Sequence, residues 1–370
     1  MVVLDVQLDN FYAFKNFHMN LTYPKKIVGS SIDQEYLFGY PNFRYKKVNI
    51  IMGSNASGKT TFGHMLMSIF NFIEKKNYEL LTDAICDRSQ PAFFAVDMVV
   101  RSSYLYRIKC TISPSGEENY SPENFRLEIR KGKIAKGDSY ESCVAKMAAV
   151  PYEPSNSYMD ELEKIEKLDW MFEYPKDTPR VLSLPDKDEK FRAILENLLK
   201  ALDPSILSVE ISSEVKRAYV IRLKGSDVVL QHGEPFSTTI LSSGTKAGVE
   251  VARVISSILQ GRISFFYCDE KFSYIHSDIE LAVLSLMIEL LRPNSQLFFT
   301  THNTDVLDMN LPKHAFTFLR KDAENTECPI SCIDASSLLK RNTDSLKNAV
   351  DNDLFSCAPS VDLIYRISDL

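Results

Sequence analysis

Residues 53–60 read GSNASGKT and match the pattern G-x-x-x-x-G-K-[ST]. The apolar run VNII precedes them, and an apolar helical pattern from Lys59 to about Lys75 follows. A glycine-rich turn between a strand and a helix points backbone N–H groups and the positive end of the helix at phosphate oxygens. The chain has only 13 glycines, so composition alone gives little chance of such a match. The motif therefore predicts an α/β fold built around a phosphate-binding loop.

The residues of this loop have separate expected roles. Lys59 is expected to contact the β- and γ-phosphates of ATP, and the Thr60 hydroxyl is expected to bind Mg²⁺. Other loop residues are expected to surround the phosphates, chiefly through backbone N–H groups: Gly53, Ser54, Asn55, Ala56, Ser57, Gly58 and Thr61.

Two apolar segments end in polar residues suited to hydrolysis. ISFFYC leads into Asp269 and Glu270, and LFFTT leads into His302. If both segments are buried strands, their carboxyl ends lie at the edge where open α/β sheets bind ligands. Asp269 is then expected to hold Mg²⁺, and Glu270 to activate the attacking water. His302 is expected to bond the γ-phosphate or that water. The alternatives are a surface turn for the acids and a core or capping role for the histidine.

A second anion-binding turn is predicted within LSSGTK, residues 241–246. Ser242, Ser243 and Gly244 lead into a helix, so this turn forms a helix N-terminus that favours negative charge. With two such turns in one chain, we expect two copies to assemble. Each copy would hold ATP on its first turn and contact the partner's ATP with its second. A plain loop is the alternative for these three residues taken alone.

The ordered segments GSNASGKT, LSSGTK, FFYCDE and TTHN resemble the ABC ATPases, in the form of the cytosolic SMC, RecF and OLD-like branch. The opening LDNFYAFKNFHMNL is similar to the start of that branch. LSSGTK resembles its signature Leu-Ser-Gly-Gly-Glu-Lys, with Ser243 in place of the first glycine of the pair and Thr245 in place of glutamate. The resemblance covers residues 1–110 and 205–320. It implies an ATPase that closes as a nucleotide-sandwich homodimer.

The resemblance implies further positions. Members carry a glutamine that contacts Mg²⁺ and water, and Gln90 lies at a suitable place, although it is equally a turn residue. DEKFSYIH is similar to the acidic pair and following loop of the family, so residues 273–276 would contact the partner copy. The tail RNTDSLKNAVDNDLFSCAPSVD resembles the end of small prokaryotic ATPases of antiphage systems, chiefly at Phe355 and Pro359.

The expected architecture is an ABC-ATPase head, with a P-loop NTPase core, an N-terminal antiparallel β subdomain and a mixed helical insertion. Residues 1–110 and 205–320 would form the composite ATPase domain, 111–204 a β-hairpin plus helical insertion, and 321–370 a C-terminal module. Antiparallel strands are predicted across 93–134, with a hairpin turn at 131–133. Helices are predicted at 160–172, 189–202 and 248–259.

Bulk properties restrict the function classes. A net charge of −6 gives no overall basic field for nucleic acid, although a local basic face stays open. The 7 cysteines are widely spread, which is typical of free thiols in a reducing compartment. The start of the chain lacks the pattern of a signal peptide, and no apolar run is long enough to span a bilayer. A cytoplasmic protein without a membrane partner is therefore expected.

Three functions remain open. The first is an ATP-driven dimer, or a higher assembly, that controls a separate effector protein such as a nuclease, as in antiphage defence. The second is a RecF- or SMC-like ATPase that binds DNA during repair or maintenance. The third and least favoured is a transporter subunit. Basic groups at 25–26, 44–47 and 130–136 either contact DNA or are solvated faces.

Overall fold

The chain divides into two compact units in a computed structural model. The first unit is Met1–Asp169 with Pro293–Leu370, and the second is Trp170–Arg292. The structure describes residues 1–101, 103–116, 119–152, 157–173, 184–231, 234–235, 241–270, 275–341, 344–357 and 362–369. The predicted boundaries of an ATPase domain, an insertion and a C-terminal module do not coincide with this division, and that functional division stays a prediction.

The elements follow the chain in three stretches. Residues 1–169 form β1 (Val2–Asp9), β2 (Phe17–Asn20), β3 (Tyr36–Leu37), β4 (Tyr40–Arg44), β5 (Val48–Met52), α1 (Lys59–Lys75), α2 (Glu79–Thr82), β6 (Ala92–Val100), β7 (Tyr104–Ile112), β8 (Phe125–Lys133), α3 (Tyr140–Ala148) and α4 (Tyr158–Leu162). Residues 170–292 form β9 (Trp170–Glu173), α5 (Glu189–Leu202), β10 (Ile206–Ile211), β11 (Ala218–Leu223), β12 (Ser226–Gln231), β13 (Glu234–Pro235), α6 (Ser243–Gln260), β14 (Phe265–Asp269) and α7 (Ser277–Leu290). Residues 293–370 form β15 (Gln296–Thr300), β16 (Phe316–Lys321), β17 (Ile330–Asp334), α8 (Ala335–Leu338), α9 (Leu346–Asp351) and α10 (Asp362–Tyr365).

The first unit contains an antiparallel sheet in the order β2-β1-β6-β7-β8. It also contains parallel strands, in which β5 lies between β15 and β16, and β17 pairs antiparallel with β16. Helix α1 contacts both sets of strands. The Phe62 ring lies 6.5 Å from that of Phe298 on β15, and the Phe72 ring lies 6.2 Å from that of Phe94 on β6. The core of this unit therefore forms around α1.

The second unit contains the parallel pair β9 and β14 and the antiparallel series β10-β11-β12-β13. Helices α5 and α6 pack closely at Gly248, where an added Cβ would lie 2.5 Å from the Leu202 side chain. Both strands of the parallel pair end at the same edge, so Asp269 and Glu173 are held near each other by the register Cys268↔Glu173. This edge carries Asp269, the predicted Mg²⁺ ligand, and Glu270, the predicted catalytic residue, follows it directly.

Several predicted elements are confirmed, including α1, α5 and β15, and two are wrong. The predicted hairpin turn at 131–133 lies inside β8, where Leu105 pairs with Gly132. Gly132 serves close packing instead, because an added Cβ would lie 2.5 Å from the Met147 side chain. The predicted helix at 160–172 is the short α4 followed by the strand β9, which pairs with β14. Among the described residues, no helix has both the length and the apolar character needed to cross a membrane.

Candidate nucleotide-binding site

The predicted phosphate-binding loop joins β5 directly to α1. Its backbone has positive φ at Gly53 (152°), Ala56 (61°) and Gly58 (101°). A Cβ at residue 53 would lie 2.4 Å from the Leu319 carbonyl oxygen on β16 and 2.6 Å from Ser57 Oγ. Glycine is therefore required at this position by both backbone conformation and space. Within the loop, Ser57 N donates to the Ser54 carbonyl oxygen at 3.2 Å. A tight turn of this kind is typical of loops whose backbone N–H groups bind phosphate.

Replacing Gly53 by alanine is expected to distort this loop. The strained φ and the contact with the Leu319 carbonyl should lower the free energy of unfolding by about 1–3 kcal/mol and weaken ATP binding. Thermal unfolding and calorimetric titration with ATP measure the two effects. Gly137→Ala is the matched control, because no atom lies within 4 Å of an added Cβ there. Equal unfolding temperatures and ATP affinities for the two variants would contradict this account of the loop.

Polar groups inside the loop fit an anionic ligand. Lys59 is only 4% exposed, and its Nζ donates to the carbonyl oxygens of Gly53 (2.9 Å) and Ser54 (3.2 Å). The buried Ser57 Oγ has no hydrogen-bond partner among the described residues. An unmatched buried hydroxyl is costly, and the first N–H groups of a helix have no partners within the helix. The Lys59 ammonium, the Ser57 hydroxyl and the first N–H groups of α1 therefore lie in or next to one loop. Such a set of donors suits a phosphate group.

His302 lies at the same strand edge as this loop. Strand β15 pairs in parallel with β5, with Thr300 opposite Ile51, so the chain leaves β15 beside the start of the loop. His302 itself is exposed. The residues on either side of it hold the turn: Thr301 Oγ1 accepts a hydrogen bond from Asn303 N, and Asn303 Oδ1 accepts one from Asp305 N. The proposed contact of the His302 imidazole with phosphate stays a prediction.

Gln90 is exposed in the turn before β6. Asn10 Nδ2 donates to the Gln90 carbonyl oxygen at 3.2 Å, so the backbone of this turn is fixed to the end of β1. Gln90 and Phe14 both line a cavity of about 480 Å³ in the first unit. Phe14 also packs on the phosphate-binding loop, 3.3 Å from a Cβ built at Gly58. Gln90 thus lies in the same unit as the loop, and its contact with Mg²⁺ stays a prediction.

The predicted acids end β14 in the second unit. Asp269 is completely buried as the last residue of the strand, and Glu270 is partly exposed just after it. Glu270 adopts a positive φ of 44°. Such a conformation is unfavourable for a residue with a side chain and is frequent at active sites. The strand therefore holds Asp269 in the interior, while Glu270 lies just beyond the end of the strand and is partly exposed.

The predicted signature turn begins α6, and the helix starts earlier than the predicted residue 248. Ser242 is the N-cap, and its Oγ accepts from Thr245 N at 3.1 Å and lies 2.8 Å from Thr245 Oγ1. Thr245, which replaces the glutamate of the signature, is buried and supports the cap. Ser242 and Ser243 are exposed at the helix N-terminus. The exposed Ser243 hydroxyl and the N-terminus of α6 thus form a turn that favours an anion, while the Ser242 hydroxyl serves the cap.

Comparison with solved structures gives the fold. A crystal structure of the SmcHead bound to the C-winged helix domain of ScpA matches with a TM-score of 0.52 and 13% identity, over 92% of this chain and 100% of that one. The Smc head domain with an extended coiled coil bound to the C-terminal domain of ScpA from Pyrococcus furiosus matches with a TM-score of 0.51 and 11% identity, over 92% of this chain and 98% of that one. The fold is that of an SMC head domain. Sequence comparison finds no matching family model and no matching curated protein.

The SMC head fold here contains a buried ion pair that the sequence did not reveal. Arg253, in the middle of α6, pairs with Glu173 at the end of β9. Both side chains are largely buried, and burial lowers the pKa of Arg253 to about 10, which still leaves the guanidinium charged at neutral pH. The pair joins α6 to β9, which lies beside the strand that ends in Asp269. An arginine within the apolar run VEVARVIS was the only signal in the sequence.

The structure describes only parts of two segments that were identified by resemblance, the predicted dimer loop and the C-terminal tail. Residues 273–274 of the predicted dimer loop lie outside the described residues, while His276 caps α7 by accepting from Asp278 N at 3.3 Å. In the tail, Phe355 is buried and stacks on Phe318 of β16, with ring centroids 3.9 Å apart. Pro359 lies outside the described residues. Packing explains Phe355 without any defence function.

Proposed function

We propose that this chain binds and hydrolyses ATP and that two copies close around the nucleotide. The observation that carries the proposal is the loop between β5 and α1. Its backbone conformation, the inward Lys59 and the unpartnered Ser57 hydroxyl match the needs of a triphosphate. In an ATP complex, the Lys59 ammonium would exchange its two carbonyl contacts for the β- and γ-phosphate oxygens, where opposite charge strengthens the hydrogen bonds.

Five side chains are proposed to serve hydrolysis. Glu270 orients the attacking water and accepts its proton, His302 bonds the γ-phosphate or that water, and Asp269 and Thr60 hold Mg²⁺ together with Gln90. The donor set fits, because Mg²⁺ prefers oxygen ligands such as carboxylate, hydroxyl and amide carbonyl. Bound Mg²⁺ supplies neutralisation of phosphate charge. Asp269 is buried at the end of its strand, so its side chain is already ordered. It would therefore lose little side-chain entropy on binding Mg²⁺.

Closure as a dimer is proposed to complete the site. Ser242, Ser243 and Gly244 of one copy would contact the ATP held by Lys59 of the other. The exposure of both serines at the start of α6 supports this proposal, as does the cap that already orders the turn. ATP would therefore act as the link between the copies, and hydrolysis would release them.

We further propose that this dimer controls a separate effector protein, such as a nuclease, in antiphage defence. The two SMC heads solved with ScpA domains support binding of a partner protein on this fold. The effector proposal is tested by purifying the tagged protein from its native host. A second protein that copurifies with it would support the proposal.

The second candidate function is DNA binding during repair or maintenance, which the same fold permits. A steep loss of DNA affinity with rising salt would favour the second candidate.

Lys59→Ala tests the nucleotide site itself. Loss of the ammonium should weaken ATP binding at least tenfold, about 1.4 kcal/mol or more. Isothermal titration calorimetry with ATP provides the measurement. Lys75→Ala is the matched control, because Lys75 is exposed in the last turn of the same helix and the charge change is equal. If both variants bind ATP as the wild type does, the loop is not the nucleotide site.

A further inference from the structure

A second cavity in the first unit is lined by cations. It has a volume of about 400 Å³ and lies along β8, α3 and the segment that follows α3. Its described lining contains Arg130, Lys131, Lys133, Lys146 and Lys164 and contains no aspartate or glutamate. Clefts of this size hold nucleotide-sized ligands. The phosphate-binding loop does not contribute to this cavity, so the cations have no part in the proposed ATPase site.

Aromatic rings contact two of these cations. Lys131 Nζ lies 4.3 Å from the ring centroid of Tyr104 and 5.0 Å from that of Tyr106. The Arg130 guanidinium lies 5.2 Å from the ring centroid of Tyr152, which also lines the cavity. A cation–π contact fixes an ammonium or guanidinium group while leaving its positive charge available.

Four carboxylates outside the described lining pair with four of these cations: Glu128 with Arg130, Glu166 with Lys131, Asp138 with Lys146 and Glu161 with Lys164. Glu161 is buried and accepts from Ile129 N as well as from Lys164. Asp138 accepts from Ala135 N as well as from Lys146. Lys133 is exposed and forms no ion pair with any described residue. The carboxylates therefore orient four of the basic side chains from outside the described lining, and Lys133 is the lining cation whose charge no described carboxylate offsets.

We propose that this cavity binds a nucleotide-sized phosphate ester. Lysine and arginine side chains would hold its phosphates through charge-assisted hydrogen bonds. Met147, Val150 and Pro151 line the same cavity and provide an apolar surface for the organic part of the ligand. A small ligand can enter such a concave site, whereas a nucleic-acid duplex meets only its rim. These observations favour a small ligand over a duplex.

The test is calorimetric titration of full-length protein with thymidine 3′,5′-bisphosphate. The protein carries Lys59→Ala, so that the phosphate-binding loop does not compete. We expect binding with a dissociation constant below about 1 mM, weakened at least about tenfold by an added Lys133→Glu. Lys136→Glu is the matched control, because Lys136 is exposed in the same basic segment but does not line the cavity. It should change the affinity less than about twofold.

Three results would overturn the proposal. The first is the absence of measurable binding in the Lys59→Ala protein. The second is an equal loss with Lys133→Glu and Lys136→Glu, which would indicate only a general surface charge. The third comes from a parallel titration with a 20-base-pair DNA duplex: a Lys133-dependent affinity for the duplex, without any for the bisphosphate, would assign the basic residues to nucleic acid. Thermal unfolding of each variant confirms that the charge reversals leave the fold intact.

Discussion

Glu270→Gln is expected to slow ATP hydrolysis by about 10²–10⁴-fold while leaving ATP binding intact. Glutamine keeps the size and one acceptor oxygen, but it cannot accept the proton of the attacking water. It also removes the repulsion between the carboxylate and the γ-phosphate. The positive φ of Glu270 is unaffected by this change, because both side chains impose the same backbone strain. The variant should therefore bind Mg-ATP, form the closed dimer and remain in it.

Phosphate release and light scattering after size-exclusion chromatography measure the two effects separately. Glu289→Gln is the matched control, because Glu289 is exposed on α7 and undergoes the same change. Asp269→Asn provides a contrast: loss of a metal-holding carboxylate should weaken closure as well as hydrolysis. If Glu270→Gln has the same oligomeric state with and without Mg-ATP, closure gated by hydrolysis is not how this protein works.

The trapped variant also distinguishes the two proposed functions. If the dimer controls an effector, Glu270→Gln should retain the partner protein in one state during copurification with ATP. If it encloses DNA, the same variant should prolong the residence time of a duplex on the protein. Running the chromatography once with DNA and once with the candidate partner separates these outcomes.

Ser242→Arg is expected to abolish ATP-dependent dimerisation and hydrolysis together, with ATP binding by the single chain unchanged. Ser242 is exposed at the N-terminus of α6, where the partner's γ-phosphate is proposed to approach the backbone. Arginine at this position fills the space for that approach. Lys59 and Thr60 are untouched, so the first contacts with ATP should survive. Calorimetry, light scattering and phosphate release are the three measurements.

Ser242→Ala controls for the loss of the helix cap. Removing the hydroxyl that accepts from Thr245 N should lower the free energy of unfolding by about 0.5–2 kcal/mol without adding bulk. Mixing Ser242→Arg with Lys59→Ala gives a sharper test, because one composite site in the mixed dimer then has both an intact loop and an intact signature turn. Partial recovery of hydrolysis in the mixture would support a site shared between chains. Wild-type hydrolysis by Ser242→Arg alone would exclude the sandwich arrangement.

Local sequence determined the elements whose signals lie within one segment. The loop before α1 needs glycine at positions 53 and 58 for its positive φ, so motif and conformation coincide. Helix α5 has a strong apolar face and an Asp188 N-cap, and it occupies the predicted residues 189–202. Strand β15 is apolar and fully buried, as its sequence LFFT indicated. In each case the backbone preference and the hydrophobic pattern favour the same structure.

Tertiary structure decided the features that depend on distant residues. Residues 170–173 become a strand because β14 offers a parallel partner about a hundred positions later, and no local pattern records that pairing. Gly132 looks like a turn residue in sequence, but it lies inside β8, where the Met147 side chain on α3 packs against it, 2.5 Å from the position of an added Cβ. Glu173 and Arg253 are far apart in the chain, and only folding brings their charges together in the interior. The physical reason is common to all three: local propensities differ by about 1 kcal/mol or less per residue, and burial and pairing outweigh them.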